Sequence, residues 1–312
     1  MFKKYTVACL LALCSMGAHA QARLPVVASF SILGDLVEQV GGDKVIVTTL
    51  VGRNADAHVF QPTPKDVQTV SAAKVLVVNG LGFDGWMERL TAIGQGPAGR
   101  ITIVASAAVA GHPPADAGHG SHDHAADEAH DHHHHGGIDP HAWQDPQLVQ
   151  VYVRNIAEGL AQADVANAAY YRQRGAAYID KLKALDSWIV QRIATVAPAK
   201  RKVITSHDAF GYFAQRYGVQ MLAVAGVSTS AEAGAKDMAD IVRLIKAEQV
   251  KALFFENISN PRLMQQISRE TGATVGGKLY SDSLSELGGP AADYLSLMRY
   301  NVDALIAGML HN

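Results

Sequence analysis

The sequence predicts an α/β fold: two related lobes with parallel sheets, joined by a long rigid helix. Three observations lead there. Short apolar runs rich in β-branched residues alternate with segments of helical period, the pattern of parallel strands linked by crossover helices. The two halves of the chain can also be laid on each other. Val26-Val-Ala-Ser-Phe-Ser-Ile-Leu-Gly34 matches Val203-Ile-Thr-Ser-His-Asp-Ala-Phe-Gly211 in kind, and Gly41 and Gly218 follow at the same offset. Between the halves runs an extended helical stretch.

In the first half the strands are expected at Leu24–Ser29, Val45–Leu50, Val75–Asn79 and Ile101–Val104. In the second half they are Lys202–Ser206, Gln220–Val224, Ala252–Glu256 and Thr274–Leu279. A helix should begin at Thr63, where Thr-Pro-Lys-Asp supplies a hydroxyl cap, a proline in the first turn and an acid near the positive end of the dipole. Lys65-Asp66 and Lys236-Asp237 open comparable helices in the two halves. The central stretch reads as one helix from Pro146 to Ala163 and a second, capped by Asp164, to about Val196. Leu182, Leu185, Ile189 and Ile193 recur at three- and four-residue spacing, an apolar stripe for core packing. The expected division is an N-terminal lobe over 21–145, a connecting helical segment over 146–198 and a C-terminal lobe over 199–312.

Residues 1–20 are expected to be a secretory signal peptide. Lys3 and Lys4 precede an apolar core from Thr6 to Met16, and Ala18-His-Ala20 gives a small-x-small cleavage site. The apolar run is too short to span a bilayer, and no later run is long enough, so a soluble, periplasmic mature chain is expected. Both cysteines, Cys9 and Cys14, lie in this segment, and bulky Leu13 before Cys14 disfavours a lipid anchor there. A mature chain starting near Gln21 then has no thiol, so any metal must be bound by imidazole and carboxylate. Losing Lys3 and Lys4 from 27 basic residues leaves 25 against 29 acidic ones, a balance that argues against nucleic acid as a partner.

Histidine is the unusual count, 14 in all, with nine of them between His112 and His135. Residues 111–137, rich in His, Asp, Gly and Ala and lacking periodicity, cannot bury a core and should form a surface loop. Ligands in open α/β sheets sit beyond the carboxyl ends of strands. His58, His141, His207 and Asp282 fall at or soon after such ends. Three neutral imidazoles and one carboxylate make the closed four-coordinate set that zinc prefers in non-catalytic sites. Nitrogen-rich ligation also disfavours manganese, magnesium and calcium, although copper and nickel take similar donors. On spacing alone Glu256 could replace Asp282, or stand behind the ligands. Asp208 and Asp56 are candidates to orient His207 and His58.

These motifs resemble the zinc/manganese class of periplasmic solute-binding proteins of ABC importers. The resemblance covers the mature chain and rests on His58-Val-Phe-Gln-Pro62, Asp139-Pro-His-Ala-Trp143, His207-Asp-Ala-Phe-Gly-Tyr212, Phe254-Phe-Glu-Asn257 and Ser281-Asp-Ser283. It implies a metal site between the lobes, with His58 and His141 from the N-lobe and His207 and Asp282 from the C-lobe. In that class Glu at the position of His207 goes with manganese and His with zinc. Some zinc-specific relatives place an acid directly before the first ligand, where this chain has Ala57, and some carry a C-lobe disulfide that this chain lacks.

The expected function is therefore capture of Zn2+ as transported cargo by a monomer that serves an ABC permease and its ATPase. A periplasmic zinc chaperone is the further partner left open. A secreted zinc-dependent hydrolase would need an open coordination position and a general base, and no His-Glu-x-x-His motif occurs. A zinc buffer without an importer differs little in sequence. The His-rich loop is expected to capture zinc weakly and pass it inward, since neutral imidazoles bind metal near pH 7.

Overall fold

The computed structural model describes residues 22–94, 96–114, 137–230 and 234–312. The expected signal peptide (1–20) and most of the His-rich segment (115–136) lie outside the described residues. Among the described residues no helix is long and apolar enough to cross a membrane.

Two four-stranded parallel sheets carry the fold. The first is built from β1 (Leu24–Phe30), β2 (Val45–Val51), β3 (Val75–Val78) and β4 (Ile101–Val104), in the order β2-β1-β3-β4. The second is built from β5 (Lys202–His207), β6 (Gln220–Ala225), β7 (Ala252–Glu256) and β8 (Thr274–Leu279), in the order β6-β5-β7-β8. The two orders are the same path walked twice, which is what the internal match of the sequence implies. All eight strands fall within a residue of their expected bounds. β3 stops one residue early because Asn79 leaves the ladder and donates its N–H to Asp84 Oδ2 at 2.6 Å.

In the first lobe α1 (Ser31–Gly41), α2 (Pro64–Ala72) and α3 (Gly85–Ile93) follow the strands. The start of α2 is the capping box the sequence suggests, Thr63 and Asp66 each accepting from the other's backbone N–H. In the second lobe α6 (Gly211–Tyr217), α7 (Ala235–Glu248) and α8 (Arg262–Thr271) do the same, and α9 (Tyr294–Met309) closes the chain. β8 bulges beside β7 where Phe254 pairs with Gly277. A Cβ on Gly276 or Gly308 would come within 2.8 Å of the Phe254 ring, so glycine at both positions lets that ring seat under α9.

α4 (Pro146–Ala163) and α5 (Ala168–Ala194) form the connection. Asp164 acts differently from expectation: Asn167 is the N-cap of α5, and the Asp164 carboxylate accepts from the Asn167 amide at 2.7 Å and the Tyr171 hydroxyl at 2.8 Å. A short 3-10 turn between them takes up the residues that a direct cap would have spared. At 27 residues α5 is about 40 Å long. It packs on α4 and α1 at one end and on α6 and α9 at the other. Arg174 donates to the Gln39 carbonyl at 2.7 Å, and Arg192 pairs with Asp303 at 2.7 Å, tying α5 to both lobes. One apolar core runs from Leu24 through Leu182 and Ile189 to Met309, so the lobes share packing. A smaller core under α7 and α8 is confined to the second sheet. A continuous core resists independent lobe motion, because packed interiors transmit strain.

Candidate metal centre

His58, His141, His207 and Asp282 come together at the carboxyl ends of the two sheets, each offering a donor atom within 4.8 Å of the other three. His58 Nε2 lies 3.3 Å from His141 Nε2 and 3.2 Å from Asp282 Oδ2. His207 Nε2 is 3.2 Å from the same Asp282 oxygen, and His141 Nε2 is 3.7 Å from Asp282 Oδ1. The side chain of His58 is 6% exposed and the other three at most 2%.

Each donor is held from behind. His58 sits in the loop after β2, where Trp86 Nε1 donates to the Ala57 carbonyl at 3.1 Å and the Phe83 ring meets the imidazole edge-on. Ala57 is fully buried. Asp56 does not orient the His58 ring. Its Oδ1 accepts the His58 backbone N–H at 2.8 Å, and its Oδ2 accepts the Thr229 hydroxyl of the other lobe at 2.6 Å. His141 is fixed by Asp139, whose Oδ1 accepts both its backbone N–H at 2.9 Å and its Nδ1–H at 2.7 Å. Asn79 Nδ2 donates to the Pro140 carbonyl, Tyr152 donates to Asn79 Oδ1, and Tyr212 reaches across from α6 to the Asp139 carbonyl.

His207 ends β5. Its Nδ1 lies 2.7 Å from Glu256 Oε2, and the Ser206 hydroxyl donates to the same oxygen at 2.6 Å. Glu256 therefore stands behind the imidazole instead of joining the four donors, and the ring bond goes to it and not to Asp208, whose N–H donates to the Gly226 carbonyl. Asp282 follows β8 on a clamped backbone. The Ser281 carbonyl accepts from Trp143 Nε1 and Gln144 Nε2, each at 2.8 Å, while Asn301 bonds both the N–H and the C=O of Tyr280.

Carboxylates only accept, so His141 and His207 must carry a proton on Nδ1, and it is Nε2 of each ring that is aimed at the centre and can give its lone pair to a cation. Neither Asp282 oxygen nor His207 Nε2 completes a hydrogen bond. The 3.2 Å approaches of His58 and His207 to Asp282 are ion-pair distances. Burial opposes charge on His207, but the Glu256 and Asp282 carboxylates overcome it and hold the imidazole well above its usual range. Burial likewise opposes the Asp282 carboxylate, and the His207 and His141 rings overcome it and hold the acid well below its own. Unpartnered buried acceptors are costly, and a small divalent cation satisfies all of them together. A tetrahedral ion with bonds of about 2.0–2.1 Å holds its donors roughly 3.3–3.4 Å apart, within the spread seen here.

Hydrogen bonds also cross between lobes beside the site. Arg53 donates to the carbonyls of Ser285 and Ala292 at 2.7 and 2.8 Å, and Ser31 Oγ accepts the Leu284 N–H at 3.0 Å. Asp35 accepts the Tyr294 N–H at 2.8 Å. The structure brings together the four residues named from sequence, while sequence reading missed Asp139 as the partner of His141, because Asp56 stands at the same offset from His58 without reaching its ring. Asn79, Trp86, Trp143 and Asn301 carried no signal, since they act on backbone far away in the chain.

Residues 26–308 match the family model described as zinc-uptake complex component A, periplasmic. The chain is similar to the manganese-binding lipoprotein MntA of Halalkalibacterium halodurans, 29% identical over 286 residues, covering 92% of this chain and 88% of that one. It is equally similar to the iron-binding protein YfeA of Yersinia pestis, 29% identical over 287 residues, with 92% and 86% covered. Among solved structures, the periplasmic zinc-binding protein TroA of Treponema pallidum superposes with a TM-score of 0.80 over 92% of this chain and 99% of its own, at 24% identity, a likeness of fold.

Proposed function

We propose that this chain, which belongs to the family of the periplasmic component A of zinc-uptake complexes, carries zinc as its cargo on His58, His141, His207 and Asp282. Proteins of this family are metal-binding components of ABC transporters and not enzymes. The relatives named for their metal bind manganese, iron or zinc, so the choice of metal is argued from the donor set.

The observation that carries the zinc reading is the count and kind of converging donors: three imidazole nitrogens and one carboxylate, buried and spaced for four-coordination. Manganese favours more oxygen ligands and a larger coordination number, and this cluster offers one carboxylate. His141 and His207 each lean on a carboxylate, the arrangement that fixes the tautomer of a metal-bound imidazole and raises its basicity. Two donors come from each lobe, so a small relative movement withdraws two ligands at once. That suits a carrier which must hold zinc tightly and then surrender it to a permease and its ATPase.

The rest of the reading follows from the same role. Residues 1–20 act as an export signal removed before Gln21, the lobes span 21–145 and 199–312, and 146–198 connect them. The protein works as a monomer in the periplasm, and a zinc chaperone is a partner through which the cargo site can be loaded. An intact mass beginning at Gln21 supports the cleavage, and a lipid adduct on Cys14 defeats it. Metal analysis with direct zinc–manganese competition tests the cargo. One tightly bound zinc that manganese cannot displace at equal concentration is expected; displacement at parity sinks the proposal.

A further inference from the structure

Asp282 belongs to the second lobe, but part of what aims it comes from the first. Neither of its oxygens completes a hydrogen bond, so the carboxylate points where its backbone points it. Three successive peptide planes lead up to it, and each is pinned. Asn301 of α9 accepts the Tyr280 N–H at 2.9 Å and donates to the Tyr280 carbonyl at 2.7 Å, which fixes the first two planes from within the same lobe. The third plane carries the Ser281 carbonyl and the Asp282 N–H, and its bonds come from across the lobe boundary. Trp143 Nε1 and Gln144 Nε2 each donate to that carbonyl at 2.8 Å. A carbonyl held by one donor can still tilt about it, whereas two donors on its two lone pairs fix the plane.

Trp143 and Gln144 follow closely on His141, so one segment holds a ligand and steers another. The Trp143 and His141 ring centroids are 5.1 Å apart, and the Tyr294 hydroxyl of α9 donates to the Trp143 carbonyl at 2.7 Å. Packing alone does not account for Gln144. The residue is 1% exposed, its Oε1 has no hydrogen-bond partner, and Trp143 by itself supplies the Ser281 carbonyl with a donor. Because a carbonyl only accepts, the amide nitrogen is the end that faces Ser281, and Oε1 is left unpaired. A buried amide with one end unpaired costs stability that an apolar side chain of similar size does not.

We propose that Trp143 and Gln144 are positioning residues for Asp282: from the opposite lobe they hold its carboxylate to one metal-binding oxygen and so add to the preference for zinc over manganese. The inference rests on the cargo reading of the four donors. Asp282 Oδ2 stands 3.2 Å from both His58 Nε2 and His207 Nε2, close to the donor spacing of a four-coordinate ion, while Oδ1 is 3.7 Å from His141 Nε2. A plane free to tilt lets the carboxylate bring its second oxygen to the ion. That raises the oxygen count and the coordination number toward what manganese takes.

Two variants of the full chain test this. Gln144→Met removes one donor and keeps the bulk, and Trp143→Phe removes the other and keeps a ring against Phe30 and Phe83. Zinc and manganese affinities are read by chelator competition. Cobalt(II) reports the geometry, because its visible absorption is intense in four-coordinate sites and weak in higher ones. In each variant zinc should bind about 10–100-fold more weakly, with manganese within about threefold of the wild type and a weaker cobalt band. Metal-free Gln144→Met should melt at or above the wild-type temperature, since the amide it lacks was half unpaired; a clear drop would make Gln144 a structural residue and overturn its assigned role. In a wild type that prefers zinc, an unchanged zinc-to-manganese ratio, or equal loss of both metals with the cobalt band unaltered, overturns the positioning role alone. A wild type that takes manganese at parity is a different result, and it removes the cargo reading together with this inference.

Discussion

Glu256→Gln separates two consequences of one carboxylate. Glu256 accepts from His207 Nδ1 at 2.7 Å, the Ser206 hydroxyl at 2.6 Å and the Ser206 N–H at 3.0 Å, all in a buried setting. Replacing it with an amide keeps the size but removes the charge that fixes the His207 proton on Nδ1. Loss of a carboxylate behind a metal-bound imidazole costs about 10–100-fold in affinity, or roughly 1.4–2.8 kcal/mol. The same carboxylate also raises His207's affinity for a proton, which zinc must displace. In the wild type zinc binding should therefore weaken as pH falls through and below neutrality, because His207 holds its proton above its ordinary range. In Glu256→Gln the imidazole gives up its proton more readily, so affinity falls less steeply with acid. The assay is chelator competition for zinc between pH 6 and 8.5. The expected result is a 10–100-fold weaker site at pH 8.5 with a gap that narrows toward pH 6. An affinity within twofold of wild type at pH 8.5, or a gap that widens in acid, refutes the reasoning.

Further outcomes follow from the same geometry. His207→Glu exchanges a nitrogen for oxygen donors and should narrow the preference of zinc over manganese in competition; an unchanged preference removes His207 as the residue that sets it. Arg53→Ala deletes two hydrogen bonds to carbonyls of the opposite lobe and should cost about 1.5–3 kcal/mol in denaturant unfolding while speeding zinc release; unaltered release in stopped-flow chelation would show that these bonds do not restrain the lobes. Asp35→Asn should stabilise the fold at pH 8. Burial raises the Asp35 pKa from 3.8 to about 6, so its ionised form costs stability above pH 6, and the cost vanishes as pH drops below 4 where folded and unfolded chains are both protonated. Thermal melts should show a gain of about 1–3 kcal/mol at pH 8 and none at pH 3.5, and an equal gain at both would contradict it.

Much of the fold was legible because its signals are local. β-branched runs such as Val75–Val78 and the Thr63–Asp66 capping box depend on neighbours in the chain, and each appears where expected. The misreading of Asp164 has the same local origin. An acid before a helix reads as a cap, and only the positions of Asn167 and Tyr171 around it show its bonds going to side chains. Asp56 is a similar case, because an acid two residues before His58 meets the backbone more easily than the ring. Asp139 stands at the same offset from His141 yet reaches both, so offset alone does not separate them.

By itself the sequence determined the kinds of donor available, imidazole and carboxylate without thiolate, and the strand ends on which they stand. Only the tertiary structure decided which carboxylate meets the three imidazoles and which supports one of them. Glu256 ends β7 and Asp282 follows β8, adjacent strands of one sheet, and spacing alone does not choose between them. Strand register, the Tyr280–Asn301 bonds and the Trp143 contact to Ser281 turn one inward and leave the other behind His207. Those interactions join residues from 21 to 138 positions apart, and which of them meet is fixed by packing and not by any pattern along the chain.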